Sequence, residues 1–169
     1  PKTLPSRPIN IIMVGNLGMD GQRIIWLEQM ARLPRARFNL TFACFSCENH
    51  IAPNQIKSQS GMAYKLQQLD IPLVTRPGLL IRQEQIMDPG FIKKSVKLIR
   101  RWHRYESYGL LTVSESELEF IQNFQSCFVE VLRGFDIMVF GNSGARDLNH
   151  KDRDILLVEG ARVAGVKRI

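Results

Sequence analysis

The chain has 169 residues, of which 44% are hydrophobic, and a net charge of +7 with a pI ≈ 9.7. That length suits one globular domain over residues 1–169 with a real core, and its apolar runs of only a few residues exclude a membrane-spanning helix. The basic balance favours anionic partners, and three cysteines in a chain this long point to a reducing, cytoplasmic compartment rather than a disulfide framework.

The amino-terminal PKTLPSRPIN lacks a signal-peptide core and reads as a short leader into a strand. Residues 9–14, INIIMV, are a near-continuous apolar run ended by glycine, the pattern of a buried strand. A helix follows from an N-cap near Asp20, with Ile24, Leu27 and Ala31 on one face and Ile25 and Trp26 beside it, and it stops at Pro34. Residues 38–45, FNLTFACF, predict a second strand, followed by a polar loop. Gly61 to Leu69 predicts a short helix, and Ile71 to Thr75 a third strand that ends in the turn dipeptide Pro77-Gly78.

Residues 91–105 predict a basic amphipathic helix. Ile92, Val96, Ile99 and Trp102 recur at helical spacing, while Lys93, Lys94, Lys97, Arg100, Arg101 and Arg104 lie largely on the other side. Ser114 with Glu117 is a capping-box signature. The helix it opens carries Leu118, Ile121, Phe124, Phe128, Val131 and Leu132 on one side and ends at Gly134. Residues 136–140, DIMVF, predict a fourth strand. A last helix starts at Asp152 or Asp154, turns Ile155, Leu157, Val158, Ala161 and Ala164 inward, and is capped by Gly165. Lys167 to Ile169 read as the start of a fifth strand. The alternation predicts an α/β, Rossmann-like three-layer sandwich with a mainly parallel sheet, and a chain that is one half of a longer protein.

Gly15, Gly18 and Gly21 are spaced G-x-x-G-x-x-G between the first strand and the first helix. Glycine allows the sharp turn and a close approach of backbone N–H groups to an anion, which the helix dipole then favours. In a parallel sheet, ligands sit at the carboxyl ends of the strands where the strand order reverses. The ligand-binding candidates are therefore Gly15, Asn16, Gly18, Met19, Asp20, Gly21 and Gln22 from the first loop, and Asn142, Ser143 and Arg146 after the fourth strand.

Two family resemblances compete. The glycine spacing, with the closing LLVEGARVAGVKRI, is similar to extended short-chain dehydrogenases and their redox-sensing relatives. That resemblance implies NAD(P) binding. The ribose-selecting acid is not clear at the end of strand two, where Phe45, Ser46 and Cys47 stand, and Tyr-x-x-x-Lys is not found. The second resemblance spans nearly the whole chain. Five stretches in order, the glycine loop with LEQMARLP, FNLTFACF, LQQLDIPLV, GFDIMVFGNS and LLVEGARVAGVKRI, resemble the amino-terminal domain of GT-B glycosyltransferases of the family 4 type. There, LQQLDIPLV stands where such proteins have Leu-x-x-x-Gly-Ile-Pro-Val.

This second resemblance implies an acceptor-binding domain, with the nucleotide-sugar donor held mostly by a carboxyl-terminal domain of the same protein. The donor is then a substrate, and no cofactor is implied. Carbohydrate or lipid-linked acceptors are the implied partners, and the isolated chain is expected to be inactive. The family's histidine after strand four is replaced by Gly141-Asn142-Ser143, so no catalytic residue is assigned.

Other motifs carry less. Cys44, Cys47 and His50 fall short of the four ligands of a closed zinc site, and no metal is assigned. Cys127 reads as core, and His103 as an exposed face. The basic helix admits two readings, a solvated face or a cationic surface lying peripherally on an anionic membrane. Nucleic acid is disfavoured, because no stacking platform accompanies the charge. A non-enzymatic basic interaction domain remains the third functional reading.

Overall fold

The computed structural model describes residues 7–15, 21–45, 61–76, 79, 85, 87–105, 109, 112–140 and 148–169, with 21–23 and 148–153 described through their backbone. Four strands, β1 (Ile9–Val14), β2 (Phe38–Phe45), β3 (Leu73–Arg76) and β4 (Ile137–Phe140), form one sheet in the order β3-β2-β1-β4. Every strand pairing among the described residues is parallel. Helices α1 (Gly21–Ala31) and α2 (Met62–Gln68) lie in the connections between the first three strands. The fold is α/β of the Rossmann-like kind, and the alternating apolar runs and helical patterns predict it. Arg168 makes a single parallel bridge to Ile137, where a fifth strand was expected to begin.

The described residues group into two compact units. One comprises Pro1–Gly78, Gly134–Gly141 and Lys167–Ile169, and the other Leu79–Arg133 and Asn142–Val166.

The sheet unit follows the period of its strands. Ile9, Ile11 and Met13 alternate onto one face of β1 and join Leu40 and Phe42 of β2 in a core with Leu27 of α1 and Met62 and Leu66 of α2. Ile12 and Val14, on the other face, are buried as well, which is why a central parallel strand reads as a continuous apolar run. Ile25 of α1 points outward and is 58% exposed. The third strand starts at Leu73, two residues later than expected, because Ile71 closes the end of α2 instead. The Ile71 N–H reaches the Leu66 carbonyl at 2.9 Å and the Asp70 N–H that of Gln67 at 3.1 Å, a Schellman closure with Asp70 at φ 52°.

The helical unit holds α3 (Phe91–Tyr105), α4 (Glu115–Phe124), a π-helical turn (Gln125–Val129), α5 (Glu130–Leu132) and α6 (Leu148–Ala164). The capping box of α4 is present in full. Ser114 Oγ accepts from the Glu117 N–H at 3.2 Å, and the Glu117 carboxylate accepts from the Ser114 N–H at 2.9 Å. The π turn is the departure from the expected continuous helix. Its extra residue per turn rotates the apolar stripe, so Phe120, Ile121 and Phe124 are continued by Phe128, Val129 and Leu132. Leu118, expected inward, is 45% exposed, and Val131 is only half-buried. Phe120, Phe124 and Phe128 line up four residues apart, and Phe91 meets Phe120 edge-on at 6.0 Å.

Helix α6 begins at Leu148, earlier than Asp152 or Asp154. Its buried face is Leu156, Leu157, Glu159 and Ala161, while Ile155 faces out at 45%. Ile155 to Val158 are apolar on every side of one turn, so the sequence pattern could not choose which faced inward. Gly160 makes that choice: a β-carbon there would sit 2.7 Å from Phe128 Cβ. Gly165, at φ 84°, caps the helix as expected.

Candidate functional site

The strand order leaves β1 with β2 on one side and β4 on the other, so the connections leaving β1 and β4 diverge from adjacent strand ends. This is the switch point at which parallel α/β sheets bind ligands. Val14 is in register with both Ala43 and Phe140. The Gly15 N–H continues the ladder by donating to the Ala43 carbonyl at 3.1 Å. The chain therefore passes into residues 16–20 and into residues 141–147 from neighbouring strands at the same level.

Of the predicted ligand-binding residues, Gly15 lies at this edge, and Gly21 and Gln22 are the first two residues of α1. Asn16, Gly18, Met19, Asp20, Asn142, Ser143 and Arg146 lie outside the described residues. Phe45 is the last residue of β2 and supplies no carboxylate to a ribose. Cys44 is buried in β2, while Cys47 and His50 lie outside the described residues. Among the described residues no cluster of His, Cys, Asp or Glu could hold a metal ion.

The basic helix α3 is now divided by its partners. Ser95, Ile99 and Trp102 are buried and Ile92 and Val96 half-buried, so the apolar stripe of α3 is turned largely into the protein. Lys94 pairs with Asp88 at 2.7 Å. That ion pair and the Gly90 N–H hold the Asp88 carboxyl below its ordinary range. Arg100 reaches the Glu159 carboxylate at 2.5 Å and Arg101 reaches Glu117 at 3.4 Å, while the Arg104 guanidinium lies 5.8 Å from the Tyr105 ring centre. Lys93 and Lys97 are exposed and make no ion pair among the described residues. No described helix is long and apolar enough to cross a membrane.

Two buried carboxylates escaped the reading of the sequence. Asp136, just before β4, accepts two bonds from Arg7 at 2.8 and 2.9 Å, one from Lys167 at 3.0 Å and one from the Asn10 N–H at 3.0 Å. The Arg7 hydrogen bond, the Asn10 N–H and Lys167 together hold its carboxyl far below the usual range. Glu159 sits between Arg100 and Arg162, the latter at 2.9 Å. Burial pushes the Glu159 carboxyl up, and the two guanidinium groups outweigh it, leaving it lowered. The partners lie up to 129 positions apart in the chain, so no local spacing reveals them.

The fold and this switch-point geometry define a Rossmann-like α/β protein. No family model, curated protein or solved structure matches the chain.

Proposed function

We propose that this chain is the acceptor-side domain of a GT-B glycosyltransferase of the family 4 type, which moves a sugar from a nucleotide donor to an acceptor hydroxyl. The observation that carries the reading is the turn at Asp70. Its φ of 52° is a conformation glycine favours, at the position where the resembled Leu-x-x-x-Gly-Ile-Pro-Val pattern has glycine. The neighbouring ends of β1 and β4 support it, and Phe45 at the end of β2 speaks against the nicotinamide alternative.

In this reading the Gly15–Gly21 loop, with Asn142, Ser143 and Arg146, is assigned to recognition of acceptor or diphosphate oxygens. The donor sugar nucleotide belongs to a carboxyl-terminal domain of the same protein. Exposed Lys93 and Lys97 are the charges left over for an anionic, lipid-linked acceptor at a cytoplasmic membrane surface. With the apolar stripe of α3 largely buried, that attachment is electrostatic and peripheral.

The test is to read the coding sequence past Ile169. A second strand–glycine–helix domain with two glutamates about one helix face apart near its end supports the reading. A Ser-Ser pair followed by Tyr-x-x-x-Lys overturns it in favour of a reductase. In that case NADPH at 100 times its dissociation constant should stabilise the fold by ~2.7 kcal/mol. A stop codon soon after Ile169 overturns it in favour of a lone interaction domain.

A further inference from the structure

We infer that a second ligand site lies at the opposite end of the sheet, in the cleft at the amino ends of β1 and β4. It fits a small organic anion, an oxyanion head group on a short apolar body. This inference is independent of the sugar-transfer reading, because the cleft opens at the strand ends away from Gly15.

The cleft has a volume of about 420 Å³, within the span of roughly 300–1,000 Å³ typical of small-molecule sites. Its lining includes three cations, Arg7, Lys167 and Arg168, against one carboxylate, Asp136. Asp136 already accepts four hydrogen bonds, two from Arg7 and one each from Lys167 and the Asn10 N–H. A carboxylate has about four lone-pair sites, so Asp136 has no acceptor capacity left for a cationic ligand.

Donor capacity remains in plenty. An ammonium carries three donors, and Lys167 directs one of them at Asp136. The Arg168 side chain makes no hydrogen bond or ion pair with any described residue, because only its backbone is engaged, by Asp136 and Met138. The cleft is therefore a donor surface with two unbalanced positive charges. Its remaining lining, Pro8, Ile9 and Ile137, is half-buried and apolar. Bare inorganic anions would leave those side chains unused, whereas an aryl or short alkyl group covers them.

The experiment is an amide-shift NMR titration of the 169-residue chain with phenyl phosphate, benzoate and inorganic phosphate. Saturable shifts at Ile9, Ile137 and Arg168 are expected with phenyl phosphate or benzoate, and the tighter of the two assigns the head group as phosphate ester or carboxylate. Arg168→Gln should weaken that binding at least about fivefold while Arg168→Lys retains more of it, and neither should change the melting temperature. Raising salt from about 20 to about 300 mM should weaken it by a similar factor, a check that needs no variant. The inference is overturned by no saturable shift at these amides up to about 10 mM probe. It is equally overturned by inorganic phosphate binding as tightly as both organic probes, or by affinity indifferent to both Arg168→Gln and salt.

Discussion

Asp136 in the sheet unit and Glu159 in the helical unit solve the same problem by different means. Each is a buried acid, and each is held by two basic side chains. Asp136 also receives a backbone N–H from β1, so the frame of the sheet itself fixes one of its bonds. Among the described residues Glu159 receives only side-chain donors, Arg162 one turn along its own helix and Arg100 from α3. A carboxylate held by a strand N–H leaves that N–H without its acceptor when it is released. One tied to side chains leaves no backbone donor behind when it is released. The sheet unit should therefore depend more on its buried acid than the helical unit does.

Asp136→Ala is the sharpest test of that ranking. It strands the Asn10 N–H and removes charge-assisted bonds to Arg7 and Lys167, and is expected to cost about 2–3 kcal/mol in urea unfolding. Glu159→Gln should cost less, about 1–2 kcal/mol, because it strands no backbone N–H and the Gln Oε1 can still accept from Arg100 or Arg162. The reverse order of urea midpoints would break the comparison.

Acidity separates the two groups further. Both carboxyls are lowered in the folded protein, so each contributes fully above its ordinary value, 3.8 for Asp136 and 4.5 for Glu159. Each contribution is lost as pH falls from there through the lowered folded value. The gap between wild type and Asp136→Asn should persist at neutral pH and close as pH is taken from about 4 towards 2.

Gly160→Ala measures the contact beside Glu159. The added β-carbon would lie 2.7 Å from Phe128 Cβ, and that overpacking, about 1–3 kcal/mol, should exceed the ~1 kcal/mol that alanine brings to a helix interior. A net loss near 1 kcal/mol in thermal unfolding is expected; a net gain would mean that the π turn yields. The smallest effect, and the only stabilising one, is Asp70→Gly. Relief of the left-handed backbone should slightly exceed the entropy glycine adds to the unfolded chain, for a gain of about 0.5 kcal/mol.

The frame of the fold was legible wherever a local period governed it. Apolar Ile9 to Val14 ended by glycine, the alternation in 38–45 and the helical spacing from Ile92 to Trp102 give β1, β2 and α3 at the observed residues. Ser114 with Glu117 marked the start of α4 because a capping box is a contact three residues long. The candidate site was legible only as a place. Gly15 stands at the end of β1 as expected, while most of its predicted companions lie outside the described residues. The Asp136 cluster was invisible because Arg7 and Asp136 meet across 129 positions.

By itself, then, the sequence determined element type, order and parallel class, since these follow from side-chain period, capping chemistry and the need for a crossover between parallel strands. The tertiary structure alone decided which turn of α6 faces inward, where the helix after Ser114 takes an extra residue, and which cations of α3 are already matched. Those outcomes depend on Gly160 admitting Phe128 and on carboxylates brought in from distant elements, and contacts of that kind leave no periodic trace along a chain.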